Sequence, residues 1–210
     1  MPVLGPLSFT LDVPSLDEGI AFYTDAGLEA VSNGKTAGLR CSGQDRDSIV
    51  LIGGAPRKRL HHVALRASGL SEIAADVPGA GGKVVAAPAG FDNNGLWVTD
   101  PNGVLYHLVE CGPDPVLTEA PPFEINAPGR LVRKRRSAVL PIKAYPPARP
   151  LKLGHVLLFS PDVTASVKFV TEGLGMGLAD HSGDIIAFAC ARKDSDHHVL
   201  AFAKSPGIGF

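Results

Sequence analysis

The sequence predicts an α+β fold of repeated βαβββ units, two paired at the N-terminus and a third unpaired. The first observation is internal self-similarity. A forward shift of 54 residues brings the run Ser8–Val13 onto His62–Ala67 without a gap, and carries Leu16 onto Leu70, Glu18 onto Glu72, Gly27 onto Gly81 and Val31 onto Val85. A shift of 147 brings the same run onto His155–Ser160, with Phe22 on Phe169 and Thr24 on Thr171. The second observation is punctuation. With 24 Gly and 18 Pro in 210 residues, a fifth of the chain, the backbone suits short strands and turns better than a helical bundle. The third is that each copy, beginning near residues 6, 60 and 153, reads as strand, helix and further strands.

In the first copy the apolar run Leu7–Val13 predicts a strand. Ser15 then opens a helix to Ala26, with Glu18 three residues on as in a capping box. Two β-rich runs follow, Thr36–Cys41 and Ser48–Ile52. The second copy repeats this with Leu60–Ala67, Leu96–Thr99 and Val104–Glu110, and the third with Leu153–Ser160, Asp184–Cys190 and His198–Ala203. Gly27, Gly81 and Gly173 follow the three helices, where a left-handed cap would need glycine. A single unit of ~50 residues cannot cover both faces of its own sheet, so units must pair. Copies one and two, separated only by Ala55–Arg59, are expected to close into one domain around a shared cavity.

Residues 113–150 interrupt the repeat. They hold nine of the 18 prolines and the basic run Arg133–Arg136, and read as an extended surface connection between residues 1–112 and 151–210. A nucleic-acid or targeting role for the four basic residues is the alternative. The wider composition disfavours it: 20 Lys and Arg stand against 21 Asp and Glu, a formal charge of −1. That balance excludes a general nucleic-acid surface and gives no reason to sit on a membrane. Cys41, Cys111 and Cys190 are odd in number and far apart, as expected of reduced thiols. No secretory leader or run of ~20 apolar residues is recognisable, so a soluble, cytoplasmic protein is expected.

Paired βαβββ units resemble the vicinal oxygen chelate superfamily, which comprises glyoxalases, bleomycin-resistance proteins and type I extradiol ring-cleavage dioxygenases. The third copy most resembles the dioxygenases, through Leu153–Asp162, Gly183–Cys190 and His197–Lys204. The resemblance implies four units, of which three are present, and places the end of this chain in the turn before the fourth. It also implies a ring-cleavage reaction on a catechol-type aromatic with Fe(II), or Mn(II), and O₂, in aromatic compound catabolism. The 210-residue chain is expected to be incomplete or inactive in that reaction.

His155 falls where the family places its first iron ligand; the remaining ligands are expected beyond Phe210. A non-haem Fe(II) site uses two His and one carboxylate and leaves three positions open. Read without the family, a lone His in an apolar strand is more often a hydrogen-bonded core histidine. His198 matches the family's acid–base histidine beside the bound catechol, a role that a near-neutral pKa suits; otherwise it is an exposed residue at a strand entry. Strand alternation directs His197 to the opposite face from His198. Phe188 matches an apolar wall against the substrate ring, or is plain core. His181 reads as a surface turn residue. A rival site lies in copy two, where His62 is the repeat equivalent of His155 and His107 follows the Asp100–Gly103 turn. In glyoxalase-like relatives a metal-binding Glu stands at that second place. Ser8 leaves copy one without a matching ligand.

Two other function classes therefore stand beside the dioxygenase: a metal-free small-ligand-binding module of the bleomycin-resistance type, and a glyoxalase-like isomerase or lyase using Zn or Ni. An uncovered third unit predicts self-association, with a homo-oligomer the expected form.

Overall fold

A computed structural model describes residues 2–112, 128–129, 131, 147, 149–191 and 195–210. The basic run Arg133–Arg136 and most of the Pro-rich connection lie outside the described residues.

Unit one runs β1 (Val3–Val13), α1 (Leu16–Asp25), β2 (Glu29–Ser32), β3 (Thr36–Arg40) and β4 (Ile49–Gly53). Unit two runs β5 (Arg59–Ala67), α2 (Leu70–Asp76), β6 (Lys83–Val85), β7 (Leu96–Thr99) and β8 (Leu105–Glu110). Unit three runs β9 (Val156–Ser160), α3 (Val163–Lys168) with a π-helical turn over Phe169–Gly173, β10 (Gly177–Ser182), β11 (Ile186–Cys190) and β12 (Leu200–Lys204). Each unit pairs its first strand parallel to its fourth, and its remaining strands antiparallel. Ser15 caps α1 as its position predicts, its hydroxyl accepting the backbone N–H of Glu18 at 3.2 Å.

Units one and two join through an antiparallel β1–β5 pair, in register Phe9↔Val63 and Thr10↔His62. The result is a single eight-stranded sheet, β2-β3-β4-β1-β5-β8-β7-β6. Its outer strands β2 and β6 do not pair with each other among the described residues, so the sheet is open-ended rather than closed. Unit three forms a second sheet, β10-β11-β12-β9. Gly209 bridges Phe159 on the free side of β9. The 147-residue shift matches Phe159 with Asp12, which pairs with Arg59 at the corresponding place in the large sheet.

Unpaired as a sheet, unit three is nevertheless packed against unit two. Leu158, Phe169, Val170 and Leu174 share one buried core with Ile73, Val77, Ala80 and Tyr106. The Phe169 and Tyr106 rings lie 5.6 Å apart, and both residues are fully buried. Burying a side chain of that size contributes ~1.5–3 kcal/mol. Asn102 adds polar contacts, its side-chain amide donating to the Ser160 and Ser166 hydroxyls at 3.1 and 2.9 Å. The contact is close enough to dictate two glycines. A Cβ on Gly82 would lie 2.4 Å from the Phe169 ring, and one on Gly173 would lie 3.0 Å from Ala80 Cβ.

That packing corrects the reading of Gly173 as a helix cap. Gly27 and Gly81 do take positive φ, 93° and 84°, but Gly173 sits inside the π-helical turn and Gly175 (φ 64°) ends the segment. His181, expected in a turn, lies exposed within β10. His155 and His198 lie just ahead of β9 and β12 rather than inside them.

Candidate active site

Alternation along β11 separates buried Ala187 and Ala189 from half-buried Ile186, Phe188 and Cys190. The buried pair faces the shared core. The register Phe188↔Ala201↔Leu157 puts the other set in a row across β11, β12 and β9. The sheet of unit three thus has one covered face and one open, largely apolar face.

Three of the predicted residues meet beside this face. The His155 and His198 ring centroids are 4.4 Å apart, and the Phe188 ring is 4.8 Å from His198. His155 is exposed and His198 half-buried. Partial burial, followed by the neighbouring His155 and His197 imidazoles, holds the His198 pKa below its ordinary value, with Asp196 opposing. His198 is therefore a neutral imidazole near pH 7, able to accept a proton. Alternation does not separate His197 from His198, because neither lies in the strand. Their Nδ1 atoms are hydrogen-bonded at 3.0 Å, and the His197 ring lies 6.1 Å from Phe188. His197 is a polar neighbour that sequence alternation missed. A salt bridge from Lys152 to Asp196 at 2.6 Å ties the loop carrying this pair to the segment that leads into His155.

The copy-two histidines are arranged differently. His62 and His107 belong to a packed ring cluster with His61, Phe91 and Trp97. Trp97 and His107 stack at 4.0 Å with an interplanar angle of 4°, and the His62 and His107 rings are 6.2 Å apart. His107 Nε2 donates to the Asn94 carbonyl at 2.5 Å, and His62 Nε2 lies 3.3 Å from the Thr10 hydroxyl. Burial, with His61 and His107 adding to it, lowers the His62 pKa to about 3. Both Nε2 atoms are engaged within the protein.

A divalent metal needs several converging donors, three protein ligands in the two-His-one-carboxylate arrangement. Among the described residues, no group of three or more His, Cys, Asp or Glu side chains is placed to hold one. His155 and His198 supply two imidazoles and no carboxylate, so the residues present do not amount to an iron site.

The repeat topology defines a fold class: the chain has the vicinal oxygen chelate fold seen in glyoxalases and extradiol dioxygenases. Its relatives bear this out. Metapyrocatechase 2 of Cupriavidus necator is 31% identical over 209 residues, covering 96% of this chain and 62% of that protein. The Mn(II)-bound glyoxalase from Novosphingobium aromaticivorans is 27% identical with a TM-score of 0.68, over 97% of this chain and 62% of that one. The 2,3-dioxygenase LapB from Pseudomonas sp. KL28 is 21% identical with a TM-score of 0.69, over 100% of this chain and 73% of that one. The chain spans less than two thirds of the length of the first two. No protein-family model matches it.

Proposed function

We propose that this chain carries the N-terminal domain (1–112), the Pro-rich connection (113–150) and the first half of the catalytic-type domain (151–210) of an extradiol ring-cleavage dioxygenase. Its substrate is a catechol-type aromatic diol, its co-substrate O₂ and its metal Fe(II), with Mn(II) as the alternative. The reaction belongs to aromatic compound catabolism in the cytoplasm. The observation that carries this reading is the convergence of His155, His198 and Phe188 on one open sheet face, in a chain 31% identical to a metapyrocatechase.

Each residue has a distinct part. His155 offers a metal donor at the mouth of the face. His198, neutral near pH 7, takes the hydroxyl proton of the diol and returns it later, as a general acid–base group does. Phe188, with Leu157 and Ala201 beside it, offers a flat apolar wall to the aromatic ring. The donor set stops short of a complete site, so the 210-residue chain alone binds iron weakly and does not turn over.

Two variants divide these roles in any longer native form. His155→Ala abolishes iron binding and turnover together. His198→Ala retains iron and slows ring cleavage by ~10²–10⁴, the usual share of an acid–base group. Equal iron loss in both variants rejects the division. Metal content separates the rivals: no metal at full ligand affinity favours the bleomycin-resistance type, and Zn or Ni favours the glyoxalase type.

A further inference from the structure

We infer that His197 is a positioning residue that sets the tautomer of His198: its Nδ1 accepts the His198 Nδ1–H, which leaves Nε2 of His198 unprotonated and free to take a proton. The inference rests on the acid–base part given to His198 above and adds the residue that orients it. A neutral imidazole carries one proton on two nitrogens, so the partner of one nitrogen decides what the other can do. A base acting through Nε2 needs an acceptor at Nδ1.

The Nδ1 atoms of His197 and His198 lie 3.0 Å apart, so one ring donates through Nδ1 and the other accepts. Their surroundings decide which. His197 is exposed, and water can accept a proton carried on its Nε2. His198 is half-buried, with the His155 and Phe188 rings at 4.4 and 4.8 Å. Among the described residues, a proton on Nε2 of His198 meets no protein acceptor, whereas a proton on its Nδ1 meets His197. Placing each proton where an acceptor exists puts one on His198 Nδ1 and the other on His197 Nε2. In the serine-protease arrangement a carboxylate orients the basic histidine. Here the adjacent carboxylate is engaged elsewhere: both Asp196 oxygens accept from Lys152 Nζ, at 2.9 and 2.6 Å. An imidazole takes that place.

The test reads tautomers directly, by long-range proton–nitrogen correlation NMR of the histidine-labelled 210-residue chain at about pH 8, where imidazoles are neutral. Neither metal nor substrate is added. Three proteins are compared: the wild type, His197→Phe, which keeps an aromatic ring and loses the acceptor, and His197→Asn, whose side-chain carbonyl can accept instead. His197 is exposed, so both variants leave the core intact, which circular dichroism checks. In the wild type His198 is expected to be protonated on Nδ1. In His197→Phe the ratio of the Nδ1–H to the Nε2–H form is expected to fall about fivefold, equivalent to ~1 kcal/mol, and His197→Asn is expected to restore it. A wild-type His198 protonated mainly on Nε2 overturns the inference, as does an unchanged ratio in His197→Phe. In any longer native form, His197→Phe is expected to lower kcat about tenfold with little change in KM, and His197→Asn to recover most of it. The two readings fail separately: an unaltered kcat in His198→Ala removes the acid–base role, and an unaltered kcat in His197→Phe removes only the positioning role.

Discussion

The side-chain amide of Asn102 donates a 2.9 Å hydrogen bond to the Ser166 hydroxyl, joining the turn ahead of β8 to α3. The same nitrogen reaches Ser160 Oγ and the Asp162 carbonyl at 3.1 and 3.2 Å. Ser160 and Ser166 are buried, and their hydroxyls bond each other at 2.9 Å, with Ser160 Oγ also accepting the Asp162 backbone N–H at 3.2 Å. Asn102→Ala is expected to destabilise the protein by ~1–3 kcal/mol, the cost of leaving buried polar groups short of a partner. Urea unfolding checks it; a change below ~0.5 kcal/mol means that the contact is unimportant.

Gly82 faces the Phe169 ring from the other side of the same junction. Gly82→Ala drives a methyl into Phe169 and the Thr99 carbonyl, with Cβ distances of 2.4 and 2.8 Å before relaxation. Overpacking of this kind costs ~1–3 kcal/mol. Thermal unfolding is expected to show a lower Tm for the variant, and an unchanged Tm contradicts the packing described.

Asp100 makes stability depend on pH. Its Oδ1 accepts the backbone N–H groups of Asn102 and Val104, while burial outweighs those bonds and raises its pKa to about 6. The folded state therefore holds this proton more tightly than the unfolded chain, whose carboxyl titrates near ~4. The contribution is fully present below pH ~4 and is lost as pH rises to about 6, a change of about 3 kcal/mol. Asp100→Asn is expected to flatten that part of the stability profile and to be the more stable protein at pH 8. A wild-type-like profile in the variant contradicts the assignment.

Where the hydrophobic pattern was strong, structure was legible in sequence. Leu96–Thr99 needed no adjustment, and β1 and β5 were located with only their starts displaced. The repeat also showed which units pair. The second strand of each unit was not legible, because β2, β6 and β10 are outer strands with mostly exposed residues and no apolar alternation. The site was partly legible: His155, His198 and Phe188 carried the family resemblance, whereas the His197 contact follows from an irregular backbone before β12. The packing of unit three on unit two left almost no local trace. Gly82 and Asn102 have ordinary neighbours in sequence, and their partners lie some 60 to 90 residues away.

Among the described residues, unit three has an uncovered sheet face and, on the free side of β9, only the Gly209 bridge. Exposed apolar side chains there include Phe159 at 40% and Ile208 at 54% of full exposure. A surface of this kind is expected to associate with a second copy about a twofold axis. Sedimentation velocity at micromolar concentration is expected to show a dimer or larger species. A stable monomer contradicts this.

The most direct measurement is oxygen uptake by the 210-residue chain with catechol and added Fe(II), beside the same mixture without protein. His155 and His198 bring two imidazoles and no carboxylate, so uptake is expected to stay at the protein-free rate, with no coloured ring-cleavage product. Catechol-dependent uptake well above that rate, lost in His155→Ala, contradicts the account: the residues of this chain would then complete a metal site by themselves.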